Sequence, residues 1–187
     1  MKTSIGVMGS SAVEHPGQPI EPRIVSIATS LGEAIATRQC ALVTGATSGL
    51  PHIVTVAAKA AGGLTIGISP AVSEKEHRER YGLPIDGLDV VVYTGFGLKG
   101  RNVINIRSSD IVIIIGGSTG TLNEFTIALD EGRIIGVLEG TGGISDHIRD
   151  IVRFCNKEGG SRILFNENPD TLVDSCLAEF KQDYQVL

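Results

Sequence analysis

At 187 residues the chain has the length of one ordinary domain, long enough to bury a continuous core without disulfides or metals. A formal charge of −5 and an aromatic content of 4% argue against a nucleic-acid-binding surface, which needs cations for phosphates and rings for bases. The three cysteines form no CxxC pattern, no signal-peptide-like stretch is present, and no apolar run approaches the roughly 20 residues of a membrane span. We therefore expect a single cytoplasmic domain over residues 1–187, with no membrane association and three packed, inert thiols.

Seven short apolar runs predict β-strands. Most are continuous and rich in β-branched residues, which is typical of strands buried on both faces of a parallel sheet. The runs cover residues 5–8, 41–43, 64–68, 90–93, 111–115, 134–138 and 163–165.

The segments between these runs are long enough for helices. The clearest begins at Pro22, which suits a first helical turn, and its apolar stripe includes Ile24, Leu31 and Ile35. Further helices are predicted near residues 51–61, 101–109, 121–131, 145–157 and 169–181. This alternation predicts a doubly wound α/β fold, with a mainly parallel sheet of about seven strands and helices on both faces.

One charged segment, residues 71–87, interrupts the alternation. Its sequence SEKEHRERYGLPIDG ends in turn residues and predicts a mobile surface insertion with a short helix and a loop. His77 lies within it. A solvated surface histidine is the simpler interpretation, and closure over a ligand is the alternative.

Glycine- and hydroxyl-rich loops follow the first, second, fourth and fifth predicted strands. In a doubly wound fold, ligands bind outside the carboxyl ends of the strands, where helix N-termini present unpaired N–H groups. A tight turn explains any one such loop, but four on one edge predict a pocket for a phosphorylated ligand. The candidate binding residues are Gly9, Ser10 and Ser11; Gly45, Thr47, Ser48 and Gly49; Gly97, Lys99 and Asn102; and Gly116, Gly117, Ser118, Thr119, Gly120 and Thr121.

Two common nucleotide motifs fit poorly. Gly95, Gly97 and Gly100 match GxGxxG, but the carboxylate expected about 20 residues later for a dinucleotide is replaced by GGST near Gly116. A P-loop requires a lysine that follows neither GATSG nor GGSTGT. Neither NAD nor a P-loop nucleotide is therefore favoured.

Two charged residues are candidates for the chemistry. Arg101 lies with Lys99 at a predicted strand–helix junction among glycines, where both are predicted to face an anionic ligand. Glu124 forms T-x-x-E with Thr121, which is a capping-box pattern, but it also lies one turn behind the GGSTGT loop. The spacing leaves capping and catalysis open for Glu124. The four histidines show no metal-ligand spacing, so no metal is expected.

The stretch GRNVINIRSSDIVIIIGGSTGTLNEF, residues 100–125, resembles the LOG-like family of Rossmann-fold nucleotide-binding proteins in the SLOG superfamily, often mislabelled as lysine decarboxylases. The resemblance extends through IGVMGSS, LVTGATSG and GGLTIGISPA. The best-known members are phosphoribohydrolases that cleave the N-glycosidic bond of a nucleoside 5′-monophosphate, with the signature PGGxGTxxE. The resemblance implies a Rossmann-like fold, with Glu124 and Arg101 as catalytic residues. It implies that the phosphate loop contains Gly116, Gly117, Gly120 and Thr121.

The chain departs from that signature in its loop. Ile115 replaces the proline, and Ser118 and Thr119 stand where the signature has one residue. This longer loop, and GTGGISDHI from Gly140, resemble the branch that includes molybdenum cofactor carrier proteins.

Two hypotheses from different classes follow. The first is a phosphoribohydrolase that requires no cofactor; the second is a non-catalytic carrier or sensor of a phosphorylated cofactor such as the molybdenum cofactor. A third, DNA processing, is disfavoured by the acidic charge. The resemblance further implies a homodimer or a larger homo-oligomer.

Overall fold

The computed structural model describes residues 2–11, 19–155 and 161–184. Strands and helices alternate along almost the whole of this part of the chain. The strands are β1 (Ser4–Gly9), β2 (Ala41–Thr44), β3 (Leu64–Ser69), β4 (Val90–Tyr93), β5 (Ile111–Ile115), β6 (Ile134–Leu138) and β7 (Arg162–Asn166). The helices are α1 (Pro22–Thr37), α2 (Leu50–Ala60), α3 (Glu74–Glu79), α4 (Gly97–Arg107), α5 (Thr119–Asp130), α6 (Ile148–Cys155) and α7 (Pro169–Tyr184), with a 3-10 helix at Gly143–His147.

All seven strands form one parallel sheet in the order β4-β3-β2-β1-β5-β6-β7. The chain runs outward from β1 to β4, returns to the other side of β1, and continues outward from β5 to β7. The direction of winding therefore reverses between β1 and β5, where Gly9 pairs with Ile115 at the carboxyl ends. Such a switch point opens a crevice above the sheet. The predicted doubly wound α/β fold is confirmed.

Two hydrophobic cores cover the two faces of the sheet. One is formed with α1, α2 and α7, and the other with α4, α5 and α6. β5 is fully buried, and its side chains alternate between the cores: Ile113 packs in the first, and Val112 and Ile114 pack in the second. Burial on both faces explains why this strand is a continuous apolar run.

Helix boundaries differ from the sequence expectation at three places. α4 begins at Gly97, four residues early, and α5 begins at Thr119, two residues early. The helix predicted over 145–157 is divided into the 3-10 helix and α6, and residues 156 and 157 lie outside the described residues. Backbone hydrogen bonds explain the division, because Ile144 and Ser145 donate to the carbonyls of Gly117 and Gly116 after β5.

The 71–87 segment contains a short helix and a loop, as predicted, but His77 is not solvated. α3 is capped by the Ser73 hydroxyl, which accepts from the Glu76 amide at 3.3 Å. His77 is fully buried, with Nδ1 2.8 Å from Ser69 Oγ and Nε2 3.1 Å from the Pro84 carbonyl. Ser69 is the last residue of β3 and Pro84 lies in the loop of the insertion, so the histidine joins the helix of the insertion to the sheet on one side and to its own loop on the other. The prediction of a surface histidine was wrong, because the charged pattern of the helix hid its one inward-facing position.

Cysteine burial is also mixed. Cys40 and Cys176 are buried, and burial raises the pKa of both thiols, to about 12 for Cys176. Cys155 is exposed near the end of α6, contrary to the expectation of three packed thiols. No helix among the described residues is both long and apolar enough to cross a bilayer.

Candidate functional site

The crevice at the switch point is a cavity of about 320 Å³. Its walls come from the ends of β1 and β2, the N-terminal turns of α4 and α5, and the loop that follows α3. These are the elements that the topology gathers at the carboxyl edge of the sheet, where ligands bind in doubly wound folds.

The GGSTGT loop turns sharply after β5. Gly116 and Gly117 have φ angles of 58° and 98°, which favour glycine. Their amides are used within the protein: Gly116 N donates to Thr141 Oγ1 at 2.9 Å and Gly117 N donates to Ser10 Oγ at 2.6 Å. These two glycines and Ser10 thus shape the loop, and a phosphate would have to displace a hydroxyl to reach either amide.

The first turn of α5 offers amides that have no intrahelical acceptor. Ser118 is the N-cap residue, with an extended backbone, and its side chain makes no capping hydrogen bond among the described residues. Gly120 and Thr121 line the cavity from this turn. A helix N-terminus of this kind favours an anion.

The capping-box interpretation of Thr121 and Glu124 was wrong. The N-cap is three residues earlier than the pattern suggested, so both residues lie inside α5, and both are buried. The positive φ angles of Gly116 and Gly117 make a tight turn directly after β5, and α5 begins two residues after that turn. Glu124 therefore lines the cavity and does not cap the helix.

Hydroxyl groups from the loops that follow β1 and β2 lie close together at the carboxyl ends of these strands. Ser11 Oγ lies 2.9 Å from Thr47 Oγ1 and 3.4 Å from Ser48 Oγ. Ser11 and Thr47 line the cavity, so they can offer hydroxyl donors to a ligand oxygen.

Arg101 lies at the cavity wall with only 7% of its surface exposed. A Cβ at position 45 would lie 1.5 Å from its Nη1, so Gly45 is required for the guanidinium to fit. Burial lowers the pKa of Arg101, and the nearby Glu124 carboxylate opposes that shift. The side chain stays cationic, because an arginine guanidinium is not deprotonated in proteins. Its Nε finds no acceptor in the part of the chain that the structure describes.

Glu124 is held by three groups from α4. Its Oε1 lies 3.6 Å from Arg101 Nη1 and accepts from Asn105 Nδ2 at 3.2 Å. In the amide orientation that satisfies both of its polar atoms, Asn102 also donates to Oε1, at 3.3 Å. Asn105 Oδ1 is buried and has no partner among the described residues. The cavity thus presents a desolvated cation, a fixed carboxylate and an open amide oxygen.

The cavity gathers ten of the candidate residues from the sequence. They are Gly9, Ser11, Gly45, Thr47, Lys99, Arg101, Asn102, Gly120, Thr121 and Glu124. The other candidates stand behind or beside its lining: Ser10, Ser48, Gly49, Gly97, Gly116, Gly117, Ser118 and Thr119.

Sequence reasoning missed several lining residues. Asn105 was detectable, because it lies four residues after Arg101 and therefore on the same face of α4. Arg80, Tyr81 and Leu83 carry no local signal, since only the anchoring of the insertion brings them to the cavity. The remaining missed residues are Val7, Met8, Pro51 and Leu98.

Within the described ranges, no group of three or more His, Cys, Asp or Glu side chains is arranged to hold a metal ion. The donor set at the cavity suits an anion with hydrogen-bonding groups.

The fold and the site define a class: Rossmann-like α/β proteins with a cavity at the switch point that combines apolar walls with arginine, lysine and hydroxyl side chains. Within that class, the chain belongs to the SLOG cluster4 family, whose model matches residues 2–173.

Several known proteins resemble the chain. An uncharacterized protein of Archaeoglobus fulgidus is 33% identical over 135 residues, which cover 72% of this chain and 79% of that protein. The molybdenum cofactor binding protein of Rippkaea orientalis is 28% identical, with a TM-score of 0.74 over 96% of this chain and 98% of that one. The molybdenum cofactor carrier protein of Chlamydomonas reinhardtii is 26% identical, with a TM-score of 0.73 over 97% and 99%. DNA processing protein A of Streptococcus pneumoniae, 20% identical with a TM-score of 0.64 over 96% and 62%, shares the fold alone.

Proposed function

We propose that this protein is a carrier of a small phosphorylated cofactor, of the molybdenum cofactor type, and that the ligand binds in the cavity at the switch point. The observation that carries the proposal is the charge of the lining. Among the described residues that line the cavity, two cations, Lys99 and Arg101, accompany one carboxylate, Glu124, in a chain whose net charge is −5. A third lining cation, Arg80, is ion-paired with Glu76 on the helix of the insertion. A cationic cavity in an acidic protein favours an anionic ligand.

Arg101 strengthens the argument. A guanidinium has five N–H donors, yet among the described residues this one has a single carboxylate neighbour, at 3.6 Å, and its Nε has no acceptor. Burial without hydrogen bonds is costly for a charged group. A ligand oxygen would supply the missing acceptor, and the α5 N-terminus and the Ser11 and Thr47 hydroxyls could hold the remaining phosphate oxygens.

The likeness to two proteins named for the molybdenum cofactor supports the choice of ligand class. A carrier needs affinity and no chemistry, and the hydrogen bonds that fix Glu124 are compatible with a binding role. Residence in the cytoplasm is part of the same proposal.

The test is purification of the protein from cells that make the molybdenum cofactor, followed by measurement of bound molybdenum by mass spectrometry and of pterin by fluorescence after oxidation. The wild type should retain both. Arg101→Met should retain at least about tenfold less, because one charge-assisted hydrogen bond contributes about 1.5–3 kcal/mol.

Arg38→Met is the matched control, since it removes a guanidinium that lies outside the cavity. It should retain as much cofactor as the wild type. Absence of molybdenum and pterin from the wild type, together with no uptake of added cofactor, would rule out the carrier.

A phosphoribohydrolase is the second candidate. It is favoured by the carboxylate of Glu124, which lines the cavity beside Arg101 and could stabilise the positive charge that develops on a ribose ring during bond cleavage. Incubation with nucleoside 5′-monophosphates and chromatography for free base would test it. Base release that disappears in Glu124→Ala would favour the enzyme over the carrier.

We also propose that the protein self-associates. β4 is an edge strand with exposed Val90 and Val92, and exposed Phe96 lies at the turn into α4. Edge strands with apolar side chains are prone to pair with another chain. Light scattering should give at least a dimer, and Val92→Lys should shift the mass towards the monomer.

A further inference from the structure

One wall of the cavity is aromatic, and it comes from the insertion. Tyr81 and Leu83 line the cavity together with Arg80. The Arg80 guanidinium lies 5.4 Å from the centroid of the Tyr81 ring, and its Nη1 is bonded to Glu76 Oε1. This stretch carries rings and aliphatic groups, unlike the hydroxyl-rich loops after β1 and β2.

The insertion holds this wall in a defined place. The Tyr81 amide donates to the Glu76 carbonyl and the Leu83 amide donates to the His77 carbonyl, both at 3.2 Å. His77 is itself fastened to Ser69 at the end of β3. On the other side, a Cβ at Gly97 would lie 4.0 Å from the Tyr81 hydroxyl oxygen, so the ring reaches the start of α4.

The aromatic wall and the anion-binding end are well separated. The insertion follows β3, whereas the α5 N-terminus follows β5, and β2 and β1 lie between these strands. Three strand spacings of about 4.8 Å place β3 and β5 about 14 Å apart in the sheet. That span accommodates a phosphate at one end and a ring system at the other.

We propose that Tyr81, backed by Arg80, is the ring-binding subsite of the cavity, and that the ligand carries a planar heterocycle on its phosphate. A tyrosine ring gives a flat apolar surface for stacking, and the buried Leu83 lines the cavity with it. The 71–87 insertion thereby determines which ring is accepted. This inference rests on the proposed phosphate site.

The test is a comparison of ligands with and without a ring. Affinities of the wild type, Tyr81→Leu and Tyr81→Phe are measured by calorimetry for nucleoside 5′-monophosphates, a phosphorylated pterin and ribose 5-phosphate. Tyr81→Leu should weaken the best ringed ligand about tenfold, because an aromatic pair contributes up to about 1.5 kcal/mol. Its affinity for ribose 5-phosphate should be unchanged, and Tyr81→Phe should bind like the wild type.

Phe154→Leu is the matched control, since it replaces an exposed aromatic residue of α6 outside the lining and should alter neither affinity. If a ringed ligand binds the wild type and Tyr81→Leu equally well, or if Tyr81→Leu weakens both ligand types to the same extent, the subsite is wrong while the phosphate site stands. If the wild type binds none of these phosphorylated compounds, the proposed function itself fails, and the subsite with it.

Discussion

Two arginines in this protein contact carboxylates from a neighbouring helix, but they differ in how many hydrogen-bond acceptors surround the guanidinium. Arg38, at the end of α1, donates from Nε and Nη2 to Asp174 at 2.6 and 2.8 Å and from Nη1 to Asp170 at 2.9 Å, both in α7. Arg101, in α4, is more deeply buried, but within the described ranges it has one carboxylate neighbour, Glu124, at 3.6 Å. The arginine with more hydrogen bonds is therefore the more solvent-exposed of the two.

The difference separates a structural ion pair from a group kept ready for a ligand. Arg38 also donates to the carbonyls of Ala34 and Asp170, so its bonding is complete and it joins α1 to α7. Arg101 has a buried Nε without an acceptor among the described residues, which lowers stability unless something else supplies the bond. Under-bonded buried charge at a cavity is a mark of function.

The largest effect that we expect comes from removal of the carboxylate beside Arg101. Glu124→Leu leaves a buried guanidinium without its countercharge, and loss of one partner of a buried pair costs about 3 kcal/mol or more. The free energy of unfolding, measured by chemical denaturation, should fall by that amount.

The double variant Arg101→Met/Glu124→Leu is the control for this prediction. With both charges removed, the free energy of unfolding should return to within about 1 kcal/mol of the wild type or exceed it, because apolar replacements of buried ion pairs are often neutral or stabilising. A double variant as unstable as Glu124→Leu would show that the loss comes from packing and not from the unpaired charge.

A smaller effect is expected at the α1–α7 junction. Arg38→Met should lower the free energy of unfolding by about 1 kcal/mol, since the partner carboxylates are exposed and solvent screens the pair. Ligand binding should not change. A loss larger than that of Glu124→Leu would reverse the comparison between the two arginines.

The fold was accessible from the sequence because its signals are local. The run 111–115 matches β5 to the residue, and Pro22 is the first residue of α1. Burial on both faces makes these strands apolar throughout, so their ends are easily located. The start of α5 was misplaced because the turn at Gly116 and Gly117, and not the T-x-x-E pattern, determines where the helix begins.

The site was predictable from the sequence where its residues lie in the loop after a strand or in the first turns of the helix that follows. Gly45 and Thr47 reach the cavity from the end of β2, as parallel topology requires. Tyr81 lies twelve positions after the last residue of β3, and its place depends on the buried contact between His77 and Ser69. No spacing rule links two residues whose proximity depends on that contact, so the aromatic wall could not be inferred.

The smallest effect that we expect is a pH dependence at the structural pair. The hydrogen bond from Arg38 lowers the pKa of Asp174 below its usual value. A carboxylate with a lowered pKa stabilises the fold above the pKa of the unfolded chain, about 3.9, and that contribution is lost as the pH falls through the folded value. The Tm difference between wild type and Asp174→Asn should therefore be constant from about pH 5 to pH 7 and shrink below about pH 4.

Because the pair is exposed, added salt should reduce the same difference at neutral pH. A Tm difference that grew on acidification would mean that Asp174 is not held ionised by Arg38. Arg38 could then not be described as part of a structural ion pair.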